Sequence, residues 1–300
     1  MKNLLAPGHT ACAGCGQAVG ARMVLNAAGQ DVIVANATGC LEVFTTRLPQ
    51  SAWEVPWLHS VFGNAAAVGS GIEAALRRLG RTGTKVLVFG GDGGTADIGL
   101  GALSGMLERG HDLLYVCFDN GAYMNTGVQR SGLTPLYART MTSPPGRVSR
   151  GNRTQAKDLP AIALAHRAAY VATASIAYPR DVEAKVKQAL TLTGPKYLQL
   201  FVPCPLGWGS APADTVKIAR LAVETWLYPL FAVENGIITS VPKVNKPKPV
   251  EEYLKLQGRF RHLFTEPEGP EQIAELQALA DDNRRRWEQV TKGTGVRIPA

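Results

Sequence analysis

Residues 85–94 read Lys85-Val86-Leu87-Val88-Phe89-Gly90-Gly91-Asp92-Gly93-Gly94, an apolar run that ends in glycines around one acid. The run has no polar alternation, which is typical of a strand buried on both faces. Helical spacing follows at 98–108, and a second apolar run, 113–118, ends at Asp119-Asn120-Gly121. Apolar strands that alternate with helices predict a parallel sheet covered on both faces.

The same alternation continues on either side of this stretch. Further strands are predicted at 32–35, 170–174 and 197–202, and further helices at 64–79, 159–168 and 181–192. The sequence therefore predicts an α/β fold with a doubly wound, mostly parallel sheet. This sheet is expected to end near Pro203, within a domain of residues 1–210.

The chain changes character after Trp208, and residues 211–300 are predicted to form a C-terminal extension. Its predicted parts are a helix at 214–224, a hairpin at 230–240, an extended stretch at 242–249 and a charged helix at 271–289. Asn235-Gly236 suits the type I′ turn of a two-residue hairpin. Such a hairpin-and-helix arm is too thin to bury a core of its own. We expect it to lie on this domain or, as the preferred interpretation, on a partner subunit.

The composition of the 300 residues is that of a globular protein, with 45% apolar and 19% charged residues. No run approaches the roughly 18 apolar residues of a membrane span. The apolar stretch at the N-terminus is too short for a secretory signal, so a cytoplasmic location is expected. The net charge of +8 is scattered and lacks aromatic interleaving, so nucleic-acid binding is not predicted. Glycine, with 32 residues, is in excess and indicates close approach of backbone to a ligand.

Asp92 and Asn120 occupy equivalent places, each just past a predicted strand. Right-handed connections make those strands parallel, so both loops emerge at the carboxyl edge of the sheet, where open α/β folds bind ligands. A carboxylate, an amide oxygen and a backbone carbonyl suit Mg²⁺, which also binds phosphate oxygens. The N–H groups around Gly91, Gly93 and Gly94 can approach such phosphates. The pair predicts a magnesium and diphosphate site, although a lone glycine turn with a capping Asp is more often structural.

Four of the five cysteines are candidates for one site. Cys12 and Cys15 lie in a turn, while Cys40 and Cys204 each follow a predicted strand. Four converging thiolates suit either Zn²⁺ or a [4Fe-4S] cluster, and spacing alone leaves both open. A thioredoxin-like Cys12/Cys15 pair is a third interpretation, which leaves the other two without a role. Cys117, inside a predicted strand, is expected to be a core residue.

The diphosphate motif resembles the fingerprint of thiamine diphosphate (ThDP) enzymes. Gly91-Asp92-Gly93 is followed at that spacing by Asp119-Asn120, where such enzymes most often have Asn-Asn. The departure at Asp119 leaves the metal-facing Asn120 in place. The resemblance implies that Asp92, Asn120 and the carbonyl of Ala122 bind Mg²⁺ and that the sheet is of the ThDP-binding type.

The chain to about Trp208 resembles the ThDP-binding β subunit of 2-oxoacid:ferredoxin oxidoreductases, the class that includes pyruvate synthase. Five stretches carry the resemblance: HTACAGCGQ (9–17), ATGCLEVF (37–44), GDG (91–93), YMNTG (123–127) and CPLGW (204–208). The resemblance implies that the four cysteines hold the [4Fe-4S] cluster nearest ThDP and that a catalytic Asn125 faces the substrate. It also implies cofactor contacts from Gly16, Gln17, Thr38, Gly39, Gly91, Gly93, Gly94 and Thr126.

The chemistry of that family explains why the two sites belong together. Decarboxylation of a 2-oxoacid on ThDP leaves electrons that a one-electron acceptor can remove singly, after which coenzyme A (CoA) takes the acyl group. Iron and sulfur can accept these electrons, whereas zinc has no redox chemistry. We therefore expect an oxidoreductase subunit that acts on pyruvate, rather than oxalate or a branched-chain 2-oxoacid, and that passes electrons to ferredoxin.

In that family the glutamate that activates ThDP lies on a partner subunit, and no second domain is visible in this sequence. The chain is therefore predicted to be inactive alone and to assemble with ThDP pyrimidine-side, CoA-side and ferredoxin-like chains. Two other hypotheses stay open. One is a non-redox ThDP decarboxylase or lyase subunit with structural zinc, and the other is a cysteine-zinc interaction module whose Gly-Asp-Gly turn is structural.

Overall fold

The computed structural model describes residues 3–47, 51–241 and 244–291. The strands of these ranges are β1 (Val32–Ala37), β2 (Trp57–Ser60), β3 (Lys85–Gly91), β4 (Leu114–Asp119), β5 (Tyr170–Ser175), β6 (Lys196–Phe201), β7 (Ala232–Glu234) and β8 (Ile237–Ser240). They form one sheet in the order β2-β1-β3-β4-β6-β5-β7-β8. The first six in that order are parallel, and the last two are antiparallel. The predicted mostly parallel α/β sheet is confirmed.

Helices cover both faces of the sheet. They are α1 (Gly16–Ala28), α2 (Cys40–Thr45), α3 (Ala65–Arg78), α4 (Asp92–Ala96), α5 (Leu100–Glu108), α6 (Leu159–Ala165), α7 (Pro179–Thr191), α8 (Pro205–Trp208), α9 (Thr215–Glu224), α10 (Val250–Leu254) and α11 (Gly269–Thr291), with 3₁₀ turns at Pro212–Asp214 and Gly258–Phe264. Within the described ranges, none of these helices combines the length and the apolar character that crossing a bilayer requires.

Alternate residues of β3 face two different cores. Leu87 and Phe89 join the hydrophobic cluster that includes α1, α7 and α9. Val86 and Val88 join the cluster that includes α3, α5 and α6. All four side chains are buried. A strand with a core on each side needs apolar residues at every position, which is why β3 reads as a continuous apolar run.

The register of β3 and β4 fixes the position of the predicted metal pair. The two strands are parallel, with Gly91 opposite Phe118. Asp92 follows β3 directly, and Asn120 follows β4 directly. The two residues therefore emerge side by side at the carboxyl edge of the sheet, as the sequence predicted.

The sheet does not end near Pro203, so that prediction was wrong. β7 pairs antiparallel with β5, with Tyr170 opposite Glu234, and β8 pairs with β7. The hairpin itself was predicted correctly, because Asn235 and Gly236 have φ of 48° and 79°, the left-handed values of a type I′ turn. The hairpin supplies partners to the backbone groups along the otherwise free edge of β5. A local pattern reveals a hairpin but not the edge that it joins.

The C-terminal extension packs on this chain's own domain. Tyr253, Phe260 and Leu276 are buried in the same hydrophobic cluster as the sheet. Contact between the outer face of the extension and a partner subunit stays a prediction, as does the domain boundary near residue 210. Of the stretch predicted to be extended at 242–249, residues 242 and 243 lie outside the described residues.

Candidate functional site

Three oxygen-bearing groups meet where β3 and β4 end. Asp92 begins α4, while Asn120 and Ala122 lie just after β4, and all three residues are buried. One terminal atom of the Asn120 amide lies 2.9 Å from Asp92 Oδ1 and 2.9 Å from the Ala122 carbonyl oxygen. If this atom is the nitrogen, it donates hydrogen bonds to both. If it is the oxygen, three oxygens come together.

The spacing of these groups fits a magnesium ion. In an octahedron with metal–oxygen bonds of about 2.1 Å, adjacent ligand oxygens are about 3 Å apart. A half-turn of the Asn120 amide exchanges its two terminal atoms, so one orientation suits the ion-free chain and the other presents oxygen to a cation. One carboxylate and two neutral oxygens form a hard donor set of the kind that Mg²⁺ takes. The residues present therefore fit the predicted ion.

The Asp92 carboxylate lies in a buried and electrostatically unfavourable place. Burial, and then the neighbouring Asp119 carboxylate, raise the pKa of Asp92 well above its ordinary value. Ser131 Oγ donates a hydrogen bond to Asp92 Oδ2, and the Leu133 N–H donates to Ser131 Oγ at 3.2 Å. Two buried carboxylates side by side are costly without a cation, so the electrostatics also favour a divalent ion here. Sequence reasoning missed Ser131, which carries no motif of its own.

The glycines around Asp92 have two different roles. A Cβ on Gly93 would lie 2.4 Å from the Tyr123 ring, and a Cβ on Gly94 would lie 3.2 Å from the Phe62 carbonyl oxygen. A Cβ on Gly91 would have no other atom within 4 Å. Packing inside the chain therefore excludes a side chain at Gly93 and leaves little room for one at Gly94. Gly91 borders open space, which fits a cradle that a phosphate-bearing ligand can enter.

The segments that carry the four candidate cysteines are joined by backbone hydrogen bonds. These cysteines are Cys12, Cys15, Cys40 and Cys204. Cys15 precedes α1, Cys40 begins α2 and Cys204 precedes α8. The Cys15 N–H donates to the Cys12 carbonyl oxygen at 3.1 Å, and the Gly16 N–H donates to the Pro203 carbonyl oxygen at 3.0 Å. The second bond ties the N-terminal cysteine turn to the segment of Cys204, far away in sequence.

The four thiols are close enough to influence one another. The pKa of Cys40 is raised to about 12, mainly by burial and then, in decreasing order, by Cys204, Cys15, Cys12 and Asp92. Among these thiols, Cys40 therefore also experiences the charge of Asp92. Within the part of the chain that the structure describes, no three His, Cys, Asp or Glu side chains already stand in a metal-holding arrangement. A metal or cluster would require the thiols to lose protons and turn toward a common centre.

Two comparisons decide the relationship of the chain to known proteins. A family model described as the C-terminal TPP binding domain of thiamine pyrophosphate enzymes matches residues 37–200. Over 288 residues, the chain is 55% identical to pyruvate synthase subunit PorB of Methanosarcina barkeri (strain Fusaro / DSM 804), covering 96% of this chain and 97% of that one. The chain belongs to the β subunits of 2-oxoacid:ferredoxin oxidoreductases. It is thus an oxidoreductase subunit with a ThDP-binding fold.

Other relatives of this β subunit are named for other substrates. Ketoisovalerate oxidoreductase subunit VorB of Pyrococcus abyssi (strain GE5 / Orsay) is 46% identical over 292 residues, covering 95% of this chain and 91% of that one. A solved 2-oxoglutarate:ferredoxin oxidoreductase from Magnetococcus marinus, with 2-oxoglutarate, coenzyme A and succinyl-CoA bound, matches with a TM-score of 0.56 and 26% identity. That match covers 66% of this chain and 65% of the other. Membership of the family therefore fixes the class of enzyme but not the 2-oxoacid.

The loop that the β-subunit resemblance assigns to the substrate is exposed and follows the candidate magnesium ligands Asn120 and Ala122 in the chain. Asn125 and Thr126 are exposed. Tyr123, two residues before Asn125, packs its ring on Gly93 and donates from its hydroxyl to Asp97 Oδ2 at 2.7 Å. The loop is therefore anchored at its start, while Asn125 is free to meet a substrate. Its substrate role stays a prediction.

Among the remaining motif residues of the β subunit, some border open space that a ligand can enter, and others are explained by packing within the chain. Thr38 and Gly39 lie between β1 and α2, and Thr38 Oγ1 lies 2.6 Å from His59 Nε2. A Cβ on Gly39 would meet nothing within 4 Å, so Gly39 also borders open space. A Cβ on Gly16 would lie 2.6 Å from the Pro203 carbonyl oxygen, so packing alone explains that glycine. Gln17, next in α1, is buried, and its predicted cofactor contact is untested.

Gly91→Ala and Gly93→Ala are expected to fail in different ways. Gly91 has φ of −76°, so alanine fits the backbone and the melting temperature stays within about 2 °C of the original value. Its methyl group occupies the cradle, so we expect ThDP affinity in the assembled enzyme to fall at least tenfold. Gly93→Ala forces the Tyr123 ring aside and costs about 1–3 kcal/mol of stability. Thermal unfolding and calorimetric titration with ThDP and Mg²⁺ measure the two effects, and equal melting temperatures would contradict this assignment.

Proposed function

We propose that this β subunit belongs to an enzyme that converts pyruvate and CoA to acetyl-CoA and CO₂ and delivers the electrons singly, through a [4Fe-4S] cluster, to ferredoxin. The observation that carries the proposal is the meeting of the Asp92 carboxylate, the Asn120 amide and the Ala122 carbonyl near Cys40, which the other three cysteines also influence. The 55% identity to a pyruvate synthase subunit supports pyruvate. The 46% identity to a ketoisovalerate oxidoreductase subunit makes a branched-chain 2-oxoacid the alternative substrate.

Each group of residues has a distinct task in this proposal. Asp92, Asn120 and the Ala122 carbonyl would hold Mg²⁺, and Gly91 would let the diphosphate approach the backbone. ThDP, when bound, supplies a thiazolium ring that stabilises the negative charge left by the departing CO₂. Asn125 would orient the 2-oxoacid from its exposed loop. Cys12, Cys15, Cys40 and Cys204 would ligate the cluster as thiolates.

Iron is preferred to zinc at the four cysteines because the neighbouring chemistry needs an electron acceptor. An enzyme that reduces ferredoxin must accept two electrons from each 2-oxoacid and release them one at a time. Zinc has no redox chemistry, so a structural zinc site would leave this task to other chains. The electrostatic influence of Asp92 on Cys40 supports a location of the four thiols close to the proposed ThDP site.

The decisive experiment uses the complex assembled anaerobically with its partner subunits. Iron, acid-labile sulfide and zinc are measured first, followed by viologen reduction with CoA and one of pyruvate, ketoisovalerate, 2-oxoglutarate or oxalate. The proposal expects iron and sulfide in the cysteine site and fastest reduction with pyruvate. Zinc without iron at these cysteines, or a clear preference for another acid, would overturn the corresponding part of the proposal.

The isolated chain is expected to be inactive. The carboxylate that activates the aminopyrimidine ring is proposed to come from a partner chain, and loss of such a general acid–base group typically costs about 10²–10⁴ in rate. Purified chain with ThDP, Mg²⁺, pyruvate, CoA and viologen should therefore show under about 1% of the rate of the complex. A comparable rate would contradict the need for the proposed pyrimidine-side, CoA-side and ferredoxin-like partners. A cytoplasmic location is part of the proposal and is tested by cell fractionation.

A further inference from the structure

Arg259 is a buried cation at the start of the 3₁₀ turn Gly258–Phe264, with only 5% of its surface exposed. Its guanidinium carbon lies 3.7 Å from the centroid of the Trp208 ring. Its Nε donates to Gln257 Oε1 at 2.9 Å, and its Nη2 donates to the Tyr253 hydroxyl at 3.1 Å. The side chain is therefore held in one place by a stacked ring and two neutral acceptors.

Trp208 links this guanidinium to both parts of the candidate site. The Trp208 Nε1 donates to the Asn120 carbonyl oxygen at 2.7 Å. The Trp208 backbone N–H donates to the Cys204 carbonyl oxygen at 2.9 Å. Arg259 Nη1 lies 3.0 Å from the position of a Cβ on Gly121. The positive charge of Arg259, in the C-terminal extension, is thus linked through Trp208 to Asn120, a predicted metal ligand. Through the short helix α8, the same tryptophan is linked to Cys204, a predicted cluster ligand.

The charge of Arg259 is compensated only at longer range. Among residues 3–47, 51–241 and 244–291, no carboxylate lies within ion-pair distance of its guanidinium. The charged form of Arg259 is favoured by the Tyr253 hydroxyl, then by the Asp119 carboxylate and least by Cys204, whose thiol becomes an anion only when it loses its proton. Burying a cation without a directly paired anion is costly. That cost is offset if negative charge resides in the adjoining site, and four thiolates around an iron–sulfur cluster provide it.

We propose that Arg259 is a positioning and charge-setting residue that raises the reduction potential of the cluster held by the four cysteines. This inference rests on the proposed function. In the reduction step the cluster gains one electron, originally from the 2-oxoacid, and its net charge becomes one unit more negative. A fixed positive charge nearby stabilises the reduced form more than the oxidised form. Arg259 therefore makes the cluster a better acceptor, while its stacking fixes Trp208 against Asn120.

Arg259→Gln and Arg259→Lys separate the charge from the planar stacking. Both variants are made in the assembled complex, and the cluster is followed by electron-spin resonance during a redox titration. Its signal is identified as the one that Cys204→Ser removes. Arg259→Gln is expected to lower the reduction equilibrium constant about tenfold, a shift of about 59 mV to more negative potential. Arg259→Lys keeps the charge and is expected to stay within about threefold of the original constant, a shift below about 30 mV.

The variant Gln257→Glu tests the effect of the Arg259 charge a second time without removing the arginine. It places a carboxylate of nearly the same shape 2.9 Å from Arg259 Nε and so neutralises the charge locally. We expect a shift in the same direction as in Arg259→Gln, even if that variant loses its cluster. Gln289→Glu adds the same charge on the exposed face of α11 and should leave the potential unchanged.

The possible outcomes separate a failure of the Arg259 proposal from a failure of the proposed function on which it rests. A complex whose cysteine site holds no iron and no sulfide overturns the proposed function. A complex with a normal cluster whose potential is unchanged in both Arg259→Gln and Gln257→Glu overturns only the inference about Arg259. Equal shifts in Arg259→Gln and Arg259→Lys also overturn it, because stacking rather than charge would then set the potential.

Discussion

Asp92→Asn should lower the affinity of the assembled enzyme for ThDP with Mg²⁺ about a hundredfold or more. Loss of groups that merely support a metal ligand typically costs 10–100-fold, and this substitution removes the only charged ligand of the proposed set. The same variant should stabilise the ion-free chain, because the pKa of Asp92 is raised by burial and by Asp119. A group with a raised pKa in the folded state costs folding free energy once it is charged at neutral pH. Calorimetry and thermal unfolding measure the two opposite effects.

Asp97→Asn is the matched control for Asp92→Asn. Asp97 lies five residues after Asp92, and its carboxylate pairs with Lys157 Nζ at 2.9 Å. It is therefore not one of the three groups proposed to bind magnesium. The Asp97→Asn substitution removes one negative charge, as Asp92→Asn does, but is expected to weaken ThDP binding only several-fold. Equal losses in both variants would show that the local field, rather than coordination by Asp92, governs binding. Unchanged binding in Asp92→Asn would place the diphosphate site elsewhere.

Cys204→Ser should remove the iron of the cysteine site from the anaerobically assembled complex. A [4Fe-4S] cluster normally needs four thiolates, and Cys204 is the one supplied from far away in sequence. Its thiol is half-buried, and burial first of all raises its pKa to about 11. The thiol therefore becomes a thiolate only if a metal centre compensates the charge. Iron, sulfide and zinc analysis gives the result directly.

Cys117→Ala serves as the control for this loss. Cys117 is fully buried within β4, which confirms its predicted place in the core. Its replacement leaves a small cavity that costs about 1 kcal/mol and should leave the iron content intact. Retention of all iron in Cys204→Ser would exclude Cys204 from the site. Zinc lost in place of iron would support a structural metal.

The parallel core was predictable because its signals are local. β3 and β4 read as continuous apolar runs since each strand faces a core on both sides. The boundaries observed for these strands lie within about two residues of those expected from the sequence. In contrast, α1 and β2 were missed. Gly16 and Gly20 weaken the helical pattern in the first turns of α1. The strand β2 is short and lies at the edge of the sheet, with Leu58 and His59 exposed.

The candidate site was partly predictable for the same reason. Asp92 and Asn120 are placed by the ends of adjacent strands, which the sequence pattern already reveals. Ser131 and Arg259 were not predictable, because no spacing rule relates them to the strands they adjoin. Their contacts with Asp92 and Trp208 arise from loop and extension packing. Sequence reasoning therefore found the candidate ligands Asp92 and Asn120 but missed Ser131 and Arg259, which contact Asp92 and Trp208.

The order of residues alone specified a parallel sheet with an acid and an amide at one edge, because strand burial and chain handedness act over short stretches of chain. Folding in three dimensions decided which distant segments meet: the hairpin on β5, Cys204 beside Cys15, and Arg259 over Trp208. Those meetings depend on how whole surfaces pack against one another, and no local pattern records that.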